Sequence, residues 1–393
     1  MKKLIFFGLF VVCALSTMYL FDVSYLLHGI RCTYLRGESS AQIDDHRFFY
    51  TREVVSEEPI ILPKGHNYTT DIKNKRLVEA LEGSKSVAFL VVQDDSVRVE
   101  KYWDGGGADS LTNSFSMAKS IMSILVGCAI EDGYIVDINQ SVFDFVPEIE
   151  PFKNNDVKIK HLLEMSSGYD WLENYKRPIG VTAKAYYGIH LRDLILKRSF
   201  VGPPGKAHVY NSGSTQVLGI LLERAVGESV SAYAGRVLWS KIGAKQNALW
   251  TIDSDGGIEK TFCCFNSNAR DFSKIGLLML NRGVVKRGIR AVVSDKYVDW
   301  LLSVPKLIDV NNKQKPKKAV DHYSNGWWVA RVLEKEVFYA RGFLGQYIVV
   351  IPDLNVVFVR LGMFEDEASA FKNDYMLTDN LLVFIGQVIK DFS

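Results

Sequence analysis

The stretch 112-TNSFSMAKSIMSILVGCAIEDG-133 begins polar, reaches Ser116, then runs as an apolar-periodic helix to a glycine stop at Gly133. Lys119 follows Ser116 by three residues, so the two share a helix face. Two readings fit. Ser116 is the cap of a core helix with a surface lysine, or it is a nucleophile with a lysine as its base. The second is chemically sound, because a helix N-terminus offers free N–H groups and partial positive charge to a developing anion. Burial lowers a lysine pKa and lets the amine take a proton. The same Ser-x-x-Lys spacing recurs at Ser303–Lys306 and Ser369–Lys372. Pro305 interrupts the former, and the latter follows the acidic run FEDEAS. Only Ser116 follows a strand and loop and opens an apolar helix.

Upstream, Ser86 to Trp103 alternates as a hairpin around a polar turn at Gln93 to Ser96. Downstream, residues from about Val157 to Gly243 are mostly helical by period, with a long irregular stretch from Tyr169 to Pro204. NARDFSKIGLLMLNRG, from Asn268 to Gly283, is a further helix. Four strands follow in GWWVARVL, EVFYARG, GQYIVVIP and NVVFVRLG, and DYMLTDNLLVFIGQVIKDF closes the chain as a helix. Strands at both ends and helices between them predict an α/β chain of the α+β kind. Its antiparallel sheet is flanked by terminal helices, and a mainly helical subdomain is inserted at about 117–245.

Two more stretches bear on chemistry. AHVYNSGSTQVLG puts Tyr210, Asn211 and Ser212 just before a helix. A tyrosine oxygen that meets a serine–lysine pair can relay a proton, although a capping turn also explains Tyr-Asn-Ser. In ARGFLGQYIVVIP, Gly342 and Gly345 stand where a strand begins, and glycine there permits close approach to a ligand. The N–H of Gln346 is a candidate oxyanion donor beside the N–H of Ser116.

In this order the three stretches resemble the serine β-lactamase-related family. It includes class C β-lactamases, D-Ala-D-Ala carboxypeptidases, esterases and aminohexanoate-oligomer hydrolases. HLLEMSSGYDW, NARDFSKIGLLML, YSNGWWV and GQYIVVIPDLNVVFVRLG extend the likeness over about Ser86 to Val388. The resemblance implies a β-lactamase/transpeptidase-like fold, with Ser116 as nucleophile, Lys119 as its partner and Tyr210 as general base or proton relay. It implies substrate contacts at Gly345, Gln346, Ser212, Phe343 and Tyr175, the last matching a tyrosine that helps aminohexanoate-oligomer hydrolases bind the scissile amide. The third motif departs from the lactamase pattern. Phe343, Leu344 and Gly345 stand where those enzymes carry Lys-Thr-Gly or His-x-Gly, and Phe343 cannot meet a substrate carboxylate. A small neutral ester or amide is therefore the expected substrate. A penicillin-recognising carboxypeptidase or β-lactamase, and a non-catalytic binding member of the fold, are the alternatives.

Composition agrees with an ordinary folded protein. The 393 residues are 48% hydrophobic and 23% charged, and 47 Lys plus Arg nearly balance 45 Asp plus Glu, which gives nucleic acid no basic surface to recognise. No zinc spacing occurs among the cysteines and histidines, and no metal or organic cofactor is implied. Adjacent Cys263 and Cys264 suit no ordinary disulfide and, like Cys128, read as buried free thiols. No Gly-x-Ser-x-Gly elbow is present.

At the N-terminus, Lys2 and Lys3 precede an uncharged run from Leu4 to Phe21, about the length of a membrane-spanning helix. Residues 1–40 are therefore expected to be a membrane anchor with its juxtamembrane segment, and 41–393 the hydrolase domain on the extracytoplasmic, periplasmic side. A cleaved signal followed by secretion is the alternative.

Overall fold

The computed structural model describes residues 3, 6, 16, 18, 23–286, 289–305, 307–309, 322–366 and 377–393. An eight-stranded sheet runs in the order His322–Ser324, Trp327–Val332, Lys335–Gly342, Gln346–Ile351, Val356–Gly362, Ser86–Gln93, Ser96–Tyr102, Lys64–Thr69. The C-terminal strands thus close against the N-terminal hairpin, with Val359 opposite Leu90. Every pairing is antiparallel except the edge strand Lys64–Thr69, which lies parallel to Ser96–Tyr102. The hairpin turn is made by Asp94 and Asp95, both at positive φ, which matches the twist of the two strands.

Strand alternation sends successive side chains to opposite faces. Val349, Ile351 and Phe358 pack with Leu77, Leu81, Phe384 and Val388 of the helices Lys75–Gly83 and Asp379–Phe392. Ile348, Val350, Val357 and Val359 join the larger core with Phe272, Ile275, Ile121 and Leu125, on the helices Ala269–Leu280 and Met117–Glu131. Both faces are covered, which is why QYIVVI is buried at every position. Between residues 117 and 245 the elements are mainly helices joined by irregular stretches, with one short strand at Ala207–His208. The stretch from Tyr169 to Pro204 also carries two short helices, Val181–Tyr187 and Leu191–Leu196. Their runs of two turns or fewer are too short to show a clear helical period.

Membrane anchoring is not supported. Among the described residues, no helix is long and apolar enough to cross a membrane. Most of Leu4 to Phe21 lies outside the described residues. The helix after it, Tyr25–Cys32, has eight residues, only about 12 Å against a hydrocarbon core of about 30 Å. It is occupied by protein: Tyr25 donates to the Pro178 carbonyl at 3.2 Å, and the His28 ring meets the carbonyls of Tyr187 and Phe48, each at 3.0 Å. The periplasmic placement rested on the anchor and loses its support with it.

Cys263 and Cys264 are joined by a disulfide, which corrects their reading as free thiols, while Cys128 and Cys32 are free and buried. Adjacent side chains diverge in extended backbone, but Cys264 leaves it for the left-handed region at φ 70°.

Candidate active site

A small four-stranded sheet, Thr51–Val54, Ala248–Thr251, Phe265–Ser267 and Thr112–Asn113, delivers the chain to the turn before Ser116. Phe115 takes a left-handed φ of 44°, and the helix Met117–Glu131 follows at once. Between Thr112 and Ala129, Ser116 alone is not buried. It occupies the N-cap position, yet among the described residues its hydroxyl makes no cap bond. A capping serine would turn its oxygen onto the N–H of the second or third helical residue. Ser116 instead faces Lys119.

Lys119 Nζ lies 3.0 Å from Ser116 Oγ, 3.2 Å from Ser212 Oγ and 2.9 Å from the Phe262 carbonyl oxygen. The side chain is only 3% exposed. Burial pushes its pKa down to about 8, against a smaller upward pull from Glu173. Tyr210 hydrogen-bonds Ser116, its ring lies 5.0 Å from Lys119 Nζ, and burial raises its pKa above the ordinary value. Ser116, Lys119 and Tyr210 therefore converge.

Ser212 opens the helix Ser212–Val226, where Asn211, not Ser212, is the cap and accepts the Ser214 N–H at 2.9 Å. That leaves the Ser212 hydroxyl for the site. It donates to Glu173 Oε1 at 3.0 Å, and the Ser212 N–H donates to Glu173 Oε2 at 2.7 Å. Trp171 Nε1 donates to Glu173 Oε2 at 3.0 Å, and the Tyr175 hydroxyl also hydrogen-bonds this carboxylate. Glu173 had no role in the sequence reading. Its signal was present in DWLENYKRP, a carboxylate two residues from Tyr175, but a loop glutamate looks like surface until the fold turns it inward.

The ring of Tyr175, 59% exposed as a residue, stacks on Phe343 at 5.9 Å between centroids, and Phe343 meets Phe115 edge-on at 5.5 Å. Phe343 therefore forms part of an aromatic wall beside the serine. Tyr210, Tyr323 and Trp328 form a second, with centroids 5.7 and 5.2 Å apart in succession. Arg341 lies on the sheet face of Tyr339 and opposite Tyr347, within electrostatic reach of Tyr210.

The strand start at Gln346 reaches the turn before Ser116 because Gly342 lacks a side chain: a Cβ there would collide with the Ser114 carbonyl oxygen. Leu344 and Gly345 then turn through φ 61° and 78°. This turn is held by Arg360, which sequence reading passed over as an ordinary strand residue. Its buried guanidinium donates to the carbonyls of Leu344 at 2.8 Å and Gly345 at 2.7 Å, to Ser86 Oγ at 2.9 Å, and to the Ser84 carbonyl. The Gln346 side chain adds its own brace, donating to the Phe343 carbonyl at 3.1 Å and accepting the Gly362 N–H at 3.0 Å. Of the other Ser-x-x-Lys pairs, Lys306 and the whole of Ser369–Lys372 lie outside the described residues.

A helix-borne serine and lysine, faced by a tyrosine and set at the ends of interior strands of a sheet covered on both faces, match the pattern of the serine β-lactamase-related class. The chain is similar to that family: the β-lactamase family model matches residues 74–256, which hold Ser116, Lys119, Glu173 and Tyr210. Its sequence is 26% identical over 316 residues to the 6-aminohexanoate-dimer hydrolase of Paenarthrobacter ureafaciens, covering 74% of this chain and 76% of that one. A solved structure described as "Putative 6-aminohexanoate-dimer hydrolase from Bacillus anthracis" superposes with a TM-score of 0.72 at 20% identity, covering 89% of this chain and 92% of that one. A family VIII carboxylesterase superposes with a TM-score of 0.60 at 15% identity, covering 84% and 98%. The fold is that of the β-lactamase/transpeptidase group, and the chain is similar to hydrolases related to the β-lactamase family.

Proposed function

We propose that the protein cleaves small neutral esters or amides through an acyl-enzyme on Ser116. One observation carries this reading. Lys119 is buried, with its pKa brought down to about 8, and lies 3.0 Å from a serine that makes no cap bond among the described residues.

The hydrogen-bond network supports one order of proton transfer. Ser212 spends its own hydrogen on Glu173, so it accepts from Lys119. A neutral Lys119 then gives its two hydrogens to Ser212 Oγ and the Phe262 carbonyl, and its lone pair is left for the Ser116 proton. Glu173 sets this order through Ser212. Ser116 Oγ attacks the substrate carbonyl as its proton passes to Lys119. The resulting oxyanion is received by the N–H groups of Ser116 and Gln346. Tyr210, whose raised pKa keeps its proton on, hydrogen-bonds the serine oxygen and relays the proton from Lys119 to the leaving alcohol or amine. Water attacks the acyl ester, gives its proton back along the same route, and the acid departs.

The aromatic wall of Phe115, Phe343 and Tyr175 supports an uncharged substrate, since a carboxylate placed against those rings would lose hydration. The aminohexanoate-dimer hydrolase and carboxylesterase relatives support amide and ester bonds respectively. The deciding experiment is intact-mass detection of an acyl adduct across a panel of esters, amides and penicillins. An adduct on the wild type that is absent in Ser116→Ala supports the assignment. An adduct at another residue refutes it.

A further inference from the structure

The backbone that receives Lys119 runs directly into a covalent ring. The Phe262 carbonyl oxygen lies 2.9 Å from Lys119 Nζ, and the next two residues are the disulfide-bonded Cys263 and Cys264. Phe265 follows and is tied to the nucleophile turn twice. Its carbonyl accepts the Ser114 N–H at 2.9 Å, and its N–H donates to Ser114 Oγ at 3.2 Å. Ser114 stands two residues before Ser116. So Phe262–Phe265 touches the lysine at one end and the serine's turn at the other, with the disulfide between. The ring is set in a fixed frame: Trp250 Nε1 donates to the Cys263 carbonyl at 3.0 Å, and Asn266 Nδ2 donates to the Cys264 carbonyl at 2.8 Å. Cys264 is held at φ 70°, a conformation unfavourable for a residue with a side chain. Acyl transfer makes no use of either sulfur.

We propose that the Cys263–Cys264 disulfide is a redox-sensitive positioning device for hydrolysis. Closed, it holds the Phe262 carbonyl on Lys119 and Phe265 on Ser114. Opened, it lets Cys264 relax toward ordinary backbone, and both contacts slacken. The proposal rests on Ser116 and Lys119 being the acyl-transfer pair. Opening is a two-electron exchange with a dithiol. The S–S bond breaks, the dithiol is oxidised to its own disulfide, and its two protons end on Cys263 and Cys264.

The test compares kcat/KM against pH, on one neutral ester, for wild type, Cys263→Ser, Cys264→Ser and the double variant. Each variant lacks the bond. All three should lose activity equally, by at least about tenfold, the scale on which misplacement of a catalytic group acts. Their low-pH limb should be displaced from that of the wild type, which loss of packing alone would not do. The double variant should be no worse than either single, because independent effects would add. Wild type purified throughout in dithiothreitol, then reoxidised, repeats the comparison without mutation and covers any variant that fails a thermal-melting check. A mass difference of two hydrogens identifies the two forms. The reduced form should behave as the variants do, and oxidation should restore it. Equal activity and an unmoved limb in the reduced enzyme overturn the proposal, as do single losses that differ and add in the double. Ser116→Ala separates the two levels. If it stays active, the catalytic assignment fails. If it is inactive while reduced and oxidised enzyme are alike, only the role of the disulfide fails.

Discussion

Ser212 Oγ lies between Lys119 Nζ, 3.2 Å away, and Glu173 Oε1, 3.0 Å away, and it can donate only to the carboxylate. In the proposed mechanism a loop glutamate thereby sets which way a helix-borne lysine points its lone pair. Replacing Glu173 tests this. In Glu173→Gln the carboxylate's upward pull on the Lys119 pKa disappears, so the acid limb of kcat/KM should move to lower pH. The plateau should fall by about 10- to 100-fold, the scale of a lost acid–base contribution. A fall in activity with an unmoved limb would assign Glu173 to loop packing alone.

Ser116→Ala should abolish ester hydrolysis and labelling by a phosphonate probe, with a loss of at least about 10⁴-fold. Because the hydroxyl makes no cap bond, stability should change by less than about 0.5 kcal/mol in denaturant unfolding. A loss of about 1 kcal/mol or more would reinstate the capping role.

The pH dependence follows from the buried lysines. Lys119 accepts a proton only when neutral, so kcat/KM should rise with pH through about 8. Stability should show a related slope. Lys119 and Lys260, lowered by burial to about 8 and about 7 from an ordinary 10.5, bind fewer protons folded than unfolded across that window. Each therefore costs stability below its folded pKa, and the cost is relieved as pH rises towards 10.5, by at most about 1.4 kcal/mol per pH unit. Unfolding free energies at pH 7, 8 and 9 measure this, and Lys260→Met should flatten the slope.

Arg360→Met leaves the carbonyls of Leu344, Gly345 and Ser84 without their donor inside the core. A cost of at least about 2 kcal/mol is expected from the unpaired groups. The loosened turn should lower kcat more than it raises KM, because an oxyanion donor acts mainly in the transition state. Steady-state kinetics at a temperature where the variant remains folded distinguish this from simple loss of protein.

Substrate class turns on Phe343. Wild type should hydrolyse a neutral short-chain ester well and a penicillin poorly, and Phe343→Lys should shift the ratio toward the carboxylate-bearing substrate. Arg341→Ala is the control. If wild type prefers the penicillin and this variant removes the preference, Arg341 supplies the cation and the neutral-substrate reading is wrong.

Local pattern was enough for much of the protein. The β-rich runs, their period and the glycine stops place the hairpin at Ser86, the four C-terminal strands and the helix after Ser116, because each element's buried face is written in its own spacing. Ser116, Lys119 and Tyr210 stood out in the sequence by their places near helix starts, and the structure brings the three side chains together. What tertiary structure alone decided is which distant groups those residues meet. Glu173 and Phe262 reach Lys119 or its partner across separations of 39 and 143 residues, and Arg360 braces a turn 15 residues away. No local periodicity encodes such contacts, and a backbone carbonyl such as that of Phe262 has no residue identity to read. The same holds for Cys263 and Cys264, whose bond depends on the left-handed turn at Cys264. For the N-terminus, hydropathy suggested a membrane span over Leu4 to Phe21, most of which lies outside the described residues; among the described residues no helix is long and apolar enough to cross a membrane, and the helix Tyr25–Cys32 that follows is packed on protein through Pro178, Tyr187 and Phe48. Apolar length measures the wish to leave water, and only packing decides what replaces it.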